Sequence, residues 1–423
     1  MTSFLTDFVA IMLLVVVLGY FNEKVTKLTD EIALMLFAIV IGAVLFSVGH
    51  FIRIPDVQQA LVDIQTFDLE DYLMDCVLCF MLFAGSCHMR LRDFHRMARQ
   101  VSVLAFVTTL LGAVIYGGCF YVVARLLQLP LTLPMCLMFG SIVAPTDPIA
   151  ATSILKKFGL PKDISFLIEG ESLLNDGVGV ALFVCFSGIV KATEQEGVAH
   201  ILLREVCGAV AIGVGVSLIC IFIFARTGDY YRKIFASLLA VSSAYLLCQR
   251  FDCSGAIASV VCGVLFSTVR RYEKDRGELE AMVHFDTFWN ILDNLLNAAL
   301  YVMLGLSFIS VFGMPQTIGL SVIAIACNMI GRFGSVGLST LVLGPIPDGY
   351  DKMSFTKLLT WGGLRGGLCI ALAMSVRTMV DGDIYKMILA GTYAIVFFTT
   401  VVQGLTMKAV YERIRASVEK IRG

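Results

Sequence analysis

The sequence predicts an all-α polytopic membrane protein. It would have thirteen transmembrane helices in two inverted six-helix repeats, with helices 5 and 12 unwound where they cross. Three observations lead there. Of 423 residues, 58% are hydrophobic and 15% charged, with a mean hydropathy of +0.85; a soluble domain carries about 25% charged residues. Apolar runs of roughly 18 residues or more recur from end to end, each long enough to cross the bilayer's hydrocarbon. Lys and Arg concentrate in alternate connections between these runs.

The spans are expected at residues 5–21, 31–50, 69–88, 100–126, 131–155, 163–190, 200–225, 230–248, 253–269, 281–310, 316–343, 357–377 and 384–411. The first lacks the small-residue cleavage site of a signal peptide and is expected to remain. Connections 1–2, 3–4, 5–6, 7–8, 9–10 and 11–12 and the C-terminal tail hold most of the loop Lys and Arg. The opposite set holds Arg53, Lys191, Arg250 and Arg377. That bias makes the first set cytoplasmic, with the N-terminus outside and the C-terminus inside. A miscounted span would flip the parity downstream and scramble the bias. About a dozen residues follow the last span, so no soluble regulatory domain is expected.

Thirteen cysteines are scattered, mostly in apolar segments, without a CxxC pair joined to a second pair or to histidines at zinc spacing. They read as small buried hydrophobes rather than metal or redox groups. The net charge of −1 says nothing about partners; no nucleic-acid partner is expected, and the lipid bilayer is the expected surround.

Span 5 reads LTLPMCLMFGSIVAPTDPIAATSIL, with Pro145 and Pro148 flanking Thr146 and Asp147. Two prolines three residues apart should unwind a helix, and freed backbone groups are tolerated at membrane depth only inside protein or beside a water-filled cavity. Span 12 reads KLLTWGGLRGGLCIALAMSV, where Gly362, Gly363, Gly366 and Gly367 bracket Arg365. Spans 5 and 12 stand seven apart. If spans 1–6 repeat as 8–13, the odd offset makes the repeats inverted and puts the two breaks in matching positions. Such a pair is the best sequence pointer to a transporter binding site.

Ionisable groups fall near mid-membrane at Asp147, Glu171, Asp176, Arg332 and Arg365. Each costs at least a few kcal/mol there unless paired or hydrated. Asp71, Asp75, Asp286, Lys386 and Arg204 lie near span ends and are expected to reach the interface, while Asp293 sits deeper and its role stays open. In span 6, GESLLNDGVGV at 170–180, Glu171 and Asn175 share one helix face and Ser172 and Asp176 its neighbour. Two arginines at similar depth imply that one carboxylate is permanently paired, leaving the other to bind a cation or a proton. With Ser, Thr and unwound carbonyls nearby, this is an all-oxygen site suited to a hard monovalent cation. No enzyme motif is present: WGGLRGG lacks the Lys-Ser/Thr of a phosphate loop. A symporter of organic anions would need a polar lining for a large solute. A channel would need a continuous polar path, and a non-transporting sensor an output domain.

APTDPIA (144–150), GESLLNDG (170–177), GRFGSVG (331–337), WGGLRGG (361–367) and VVQGLT (401–406) resemble cation:proton antiporter family 1, the sodium/hydrogen exchangers, in its bacterial and archaeal branch. The resemblance implies that Asp176 is the essential cation and proton carboxylate, with Asp147 and Thr146 beside it. Na+ would be held by Asp176, Asp147, Ser172 and Thr146. Asn175 takes the place where electrogenic relatives hold a second aspartate. Glu171 and Arg332 would form a structural pair, and Arg365 matches a family arginine. The implied activity is exchange of Na+, Li+ or K+ for H+, electroneutral, elevator-type and without a cofactor, by a homodimer in the cell membrane that serves pH homeostasis. The transport part would span about 99–190 and 316–411, the dimerisation part about 1–98 and 230–310, with a linker helix at about 200–225. One departure stands out. Some archaeal members carry a span-3 glutamate in an LFE motif, whereas MLFAGS here places Ala84 there, which puts a ligand from span 3 in doubt.

Overall fold

The computed structural model describes residues 2–51, 77–88, 91–191, 198–275, 277–308 and 318–422, and every extended regular element among them is helical. The expectations for Arg53, Asp71, Asp75 and Cys76 lie outside the described residues. The other twelve cysteines form no disulfide.

The first half begins with α1 (Thr2–Phe21), α2 (Asp30–Phe51) and α3 (Leu78–His88). Next, α4 (Leu91–Ser102) runs through a π-helical turn, Val103–Thr108, into α5 (Thr109–Leu126). After these come α6 (Leu133–Ile142), α7 (Pro148–Lys157) and α8 (Lys162–Lys191), then α9 (Val198–Arg226). The second half comprises α10 (Tyr230–Arg250), α11 (Gly255–Asp275), α12 (Leu279–Ser307), α13 (Ile318–Val342), α14 (Lys352–Trp361) and α15 (Gly367–Ser375). It ends with α16 (Gly382–Phe397), which passes through a π turn, Phe398–Gln403, into α17 (Gly404–Arg422). Seven helices among the described residues are long and apolar enough to cross a membrane.

Side-chain oxygens start several helices by accepting orphan backbone N–H groups. Thr132 caps α6, with Pro134 in its first turn. Asp229 caps α10 through Tyr231 N at 3.2 Å. Asp351 caps α14 through Met353 N at 3.1 Å and Ser354 N at 3.0 Å.

α12 packs on α2, α11 on α3, and α13 on α5. The 30-residue α8 runs through the interior against α6, α7 and α11. Outward faces stay apolar: Val16 on α1 and Ile219 on α9 are each 67% exposed. In water such bands would be an aggregation liability; against lipid tails they need no partner.

Charges near span ends are held by partners. Asp286 is ion-paired, with Arg270 3.0 Å and Lys274 2.7 Å from its carboxylate. Lys233 and Glu273, which drew no attention in the sequence, form a fully buried pair at 2.6 Å between α10 and α11.

Candidate ion-binding site

Between α6 and α7, and again between α14 and α15, the helix opens into a short stretch without helical hydrogen bonding. The two stretches touch where Asp147 N donates to Leu364 O at 2.8 Å. A helix break frees donors and acceptors that must be satisfied elsewhere, and the other bonds here do that. Thr146 N donates to Asn175 Oδ1 at 3.2 Å, and Arg365 N to Thr399 Oγ1 at 3.1 Å. The Arg365 guanidinium, 4% exposed, donates to Ala144 O at 2.5 Å, Pro145 O at 2.9 Å and Asn328 Oδ1 at 3.1 Å. Ala144 and Pro145 follow the C-terminal end of α6, where the helix dipole is negative and a cation is stabilising. Arg365 therefore acts as a fixed cation at the break. Glycine is needed for close approach here. A Cβ at Gly366 would come within 3.0 Å of Asp147 Oδ2, and one at Gly363 within 2.6 Å of Arg332 Nε.

Helix α8 presents its polar side chains in three directions. Glu171 accepts from Arg332 Nη1 on α13 at 2.5 Å, with the two side chains 1% and 6% exposed. Arg332 Nε also reaches Leu359 O at 3.3 Å. Asn175 and Ser172 face the unwound stretch. Asn175 Nδ2 donates to Thr146 Oγ1 at 2.7 Å, and the Thr146 and Ser172 hydroxyls share a hydrogen bond of 2.8 Å. Asp176 makes no hydrogen bond or ion pair among the described residues. Half-buried, it lines a cavity of about 420 Å³.

Thr146, Asp147 and Asp176 line this cavity together with Asp293 and Leu300 of α12. At its far end lie His88 and the Lys156–Glu169 pair, 2.7 Å apart. Tyr301, also on α12, donates its hydroxyl proton to Asp147 Oδ2. On α3 the cavity meets Met81, Leu82 and Gly85, while Ala84 is packed in an apolar cluster away from it.

The structure thus brings Thr146, Asp147 and Asp176 together around open space. It places Ser172 and Asn175 behind Thr146 as braces, Glu171 with Arg332, and Arg365 on the opened backbone. Around Asp176 and Asp147 the cavity lining supplies carboxylate and hydroxyl oxygens, from Thr146, Thr152 and Ser153 as well as the two aspartates. That donor set can exchange a proton for a hard cation; the cysteine that also lines the cavity, Cys369, directs its Sγ to Pro145 O at 3.7 Å. Three contributors escaped the sequence reading: Tyr301, Asn328 and Thr399. Each lies in an apolar run where nothing in the pattern separates it from ordinary packing.

Comparisons with known proteins agree with this geometry. The profile of the sodium/hydrogen exchanger transmembrane family matches residues 13–413. The chain is 30% identical over 387 residues to the Na(+)/H(+) antiporter NhaP of Pseudomonas aeruginosa, covering 90% of this chain and 89% of that one. It is 31% identical over 345 residues to the Na(+)/H(+) antiporter NhaH of Halobacillus aidingensis, covering 79% and 81% respectively. The solved structure of the sodium proton antiporter MjNhaP1 from Methanocaldococcus jannaschii superposes with a TM-score of 0.68 at 21% identity, covering 91% of this chain and 98% of that one. The chain is a multi-pass, all-helical integral membrane protein and belongs to the sodium/hydrogen exchanger family.

Proposed function

We propose that this protein is a secondary antiporter that exchanges Na+ for H+ by carrying one or the other on Asp176. The observation that carries the reading is the contrast on α8. One buried carboxylate, Glu171, is neutralised by Arg332 at 2.5 Å. The other, Asp176, has no fixed partner among the described residues and lines a cavity shared with Asp147 and Gly366 of the two opened helices.

The mechanism follows from charge. An unneutralised carboxylate cannot cross the low-dielectric barrier cheaply, so Asp176 crosses carrying either a cation or a proton, not empty. Thr146 and Asp147 are positioned to share the cation. Ser172 and Asn175 hold Thr146 in place, and each side-chain oxygen keeps a lone pair with which it could also join the shell. Asn175 is neutral and engaged at both ends of its amide, which leaves one exchanging charge on α8 and supports an electroneutral cycle. Transport needs no cofactor, since the gradient of one ion drives the other.

Thirteen passes are supported by joining the segments that continue one another. The seventeen helices among the described residues include four such joins, α4–α5, α6–α7, α14–α15 and α16–α17, and seventeen less four is thirteen. Packing supports inverted repeats with an offset of seven passes. That offset exchanges α2 with α11 and α12 with α3, so the contacts α2–α12 and α3–α11 map onto each other, and α5–α13 maps onto itself. In an elevator motion the transport part, about 99–190 and 316–411, would slide against the dimerisation part, about 1–98 and 230–310. The helix at about 200–225 links them, and a second copy packs on the dimerisation part. His88, Lys156 and Glu169 lie toward the side that loop charge makes cytoplasmic, so the cavity opens inward, with the C-terminus on the same side of the cell membrane.

The test is transport in proteoliposomes with an imposed pH gradient. Dequenching of a pH dye on adding Na+, Li+ or K+ establishes exchange and ranks the ions. No response to any of the three contradicts the proposal.

A further inference from the structure

The stripe on α12 that faces the opened helices is left without a role by the chemistry at Asp176. Asp293, Asn297 and Tyr301 recur every four residues and therefore share one face. Tyr301 holds Asp147. Two turns away along the helix, about 12 Å at 1.5 Å per residue, Asp293 lines the same cavity as Asp147 and Asp176. No three acidic, His or Cys groups among the described residues converge closely enough to hold one ion. Asp293 is thus not part of one cage with Asp147 and Asp176, but lies in series with them.

Asn297 supplies the second observation. Its Nδ2 donates to Asp293 Oδ1 at 3.0 Å and to Asp293 O at 2.9 Å. Its Oδ1 is buried with no hydrogen-bond donor among the described residues, and the residue is only 6% exposed. A buried amide oxygen left unpaired in a native structure calls for an explanation, and an ion or water is the ordinary one. Asn297 also lines a second cleft of about 620 Å³, where Glu23, Asp30 and Glu31, near the junction of α1 and α2, outnumber Lys27 and Lys157. Ser153 borders both spaces. One helical turn apart on α12, Asp293 lines the first space and Asn297 the second.

We infer that Asp293 and Asn297 form a cation way-station on α12, beside the cavity that Asp176 lines. It concentrates a hydrated monovalent cation on the cavity side and hands it to Asp147 and Asp176. It takes the same hard cations as the transport site, through two oxygens of the protein and the remaining water of the ion. The negative charge of Asp293 raises the local cation concentration in a low-dielectric cleft, which speeds arrival without altering the chemistry at Asp176. Because α12 belongs to the part that stays fixed in the proposed motion, the station serves one face only. When the transport part moves to the other side, Asp176 leaves Asp293 behind.

This inference rests on the proposed antiport, and sidedness separates the two. Na+-driven proton flux is measured in everted and in right-side-out membrane vesicles with wild type, Asp293→Asn and Asn297→Ala. Both variants are expected to raise the KM for Na+ by at least about threefold from the face on which the cavity opens. They should leave the KM from the opposite face and the maximal rate within error, and Asp293→Glu should restore most of the loss. Unchanged KM on both faces, or an equal change on both, in protein that elutes as a single species in detergent, would overturn the inference and leave the antiport reading standing. If Asp293→Asn is not recovered as folded protein, Asn297→Ala alone decides by the same criterion. Absence of exchange in wild type would instead remove the antiport reading itself.

Discussion

Replacing Glu171 by alanine should cost more stability than any change at the ion site. Arg332 is 6% exposed and its strong contact is the Glu171 carboxylate at 2.5 Å; what remains is a 3.3 Å bond to Leu359 O. Removing the carboxylate strands a buried guanidinium, at about 3–5 kcal/mol. Unfolding entropy of about 2.1 cal/mol/K per residue, over a chain this long, converts that to a fall of roughly 3–5 °C in Tm. Helices that persist in detergent lower the entropy, so this is the smaller end of the range. The assay is thermal unfolding of detergent-purified protein, followed by size-exclusion or intrinsic fluorescence. Asp176→Asn, which breaks no contact, should melt near wild type. The double variant Glu171→Leu with Arg332→Met should recover most of the loss, because an apolar pair strands no charge. A Glu171→Ala variant that melts with wild type would refute the pairing as a stabilising element.

Three further outcomes follow from particular contacts. In Asn175→Asp the new carboxylate keeps Thr146 N as a donor and can accept the Thr146 hydroxyl proton, while Arg332 stays with Glu171. No transport current should appear on solid-supported membranes, in wild type or variant, and a current in the variant alone would show that Asn175 sets the stoichiometry. Arg365→Lys cannot span Ala144 O, Pro145 O and Asn328 Oδ1 at once, so exchange in proteoliposomes should fall about tenfold or more, with Lys behaving nearly as badly as Gln. A rate preserved by Lys would show that charge alone suffices there. Asp351, in the connection before α14, has its carboxyl held below the ordinary range by hydrogen bonds from Ser354 and Met353. The stabilisation is therefore full above the unfolded carboxyl value and fades as pH falls through the lower folded value. Asp351→Ala should lose about 1 kcal/mol at neutral pH, seen as a lower Tm, and the difference should begin to close as pH falls below about 4.

The apolar spans, the two broken helices and the buried charges were legible because each violates or satisfies a strong rule. Hydrocarbon demands length, proline removes a donor, and charge in lipid demands a partner. Helical periodicity also showed that Glu171 and Asp176 point different ways. It could not show toward what. That Asn175 turns to the Thr146 backbone, and that Asp286 meets Arg270 and Lys274, depends on neighbours far away in the chain. Tyr301 looked like any aromatic in an apolar run, since its hydroxyl matters only beside Asp147. Arg365 stood out as charge, but its partners are backbone carbonyls, which every residue carries and no sequence pattern marks.

The central claim is that one carboxylate, Asp176, carries both ions. Purified wild type and Asp176→Asn, reconstituted at equal density, are compared for Na+-driven dissipation of an imposed pH gradient at saturating Na+. Asparagine keeps the shape and cannot bind a proton or neutralise a cation. Rapid dissipation in wild type and none above empty liposomes in Asp176→Asn, with both proteins equally folded, is the result predicted. Dissipation by Asp176→Asn at the wild-type rate would contradict the account.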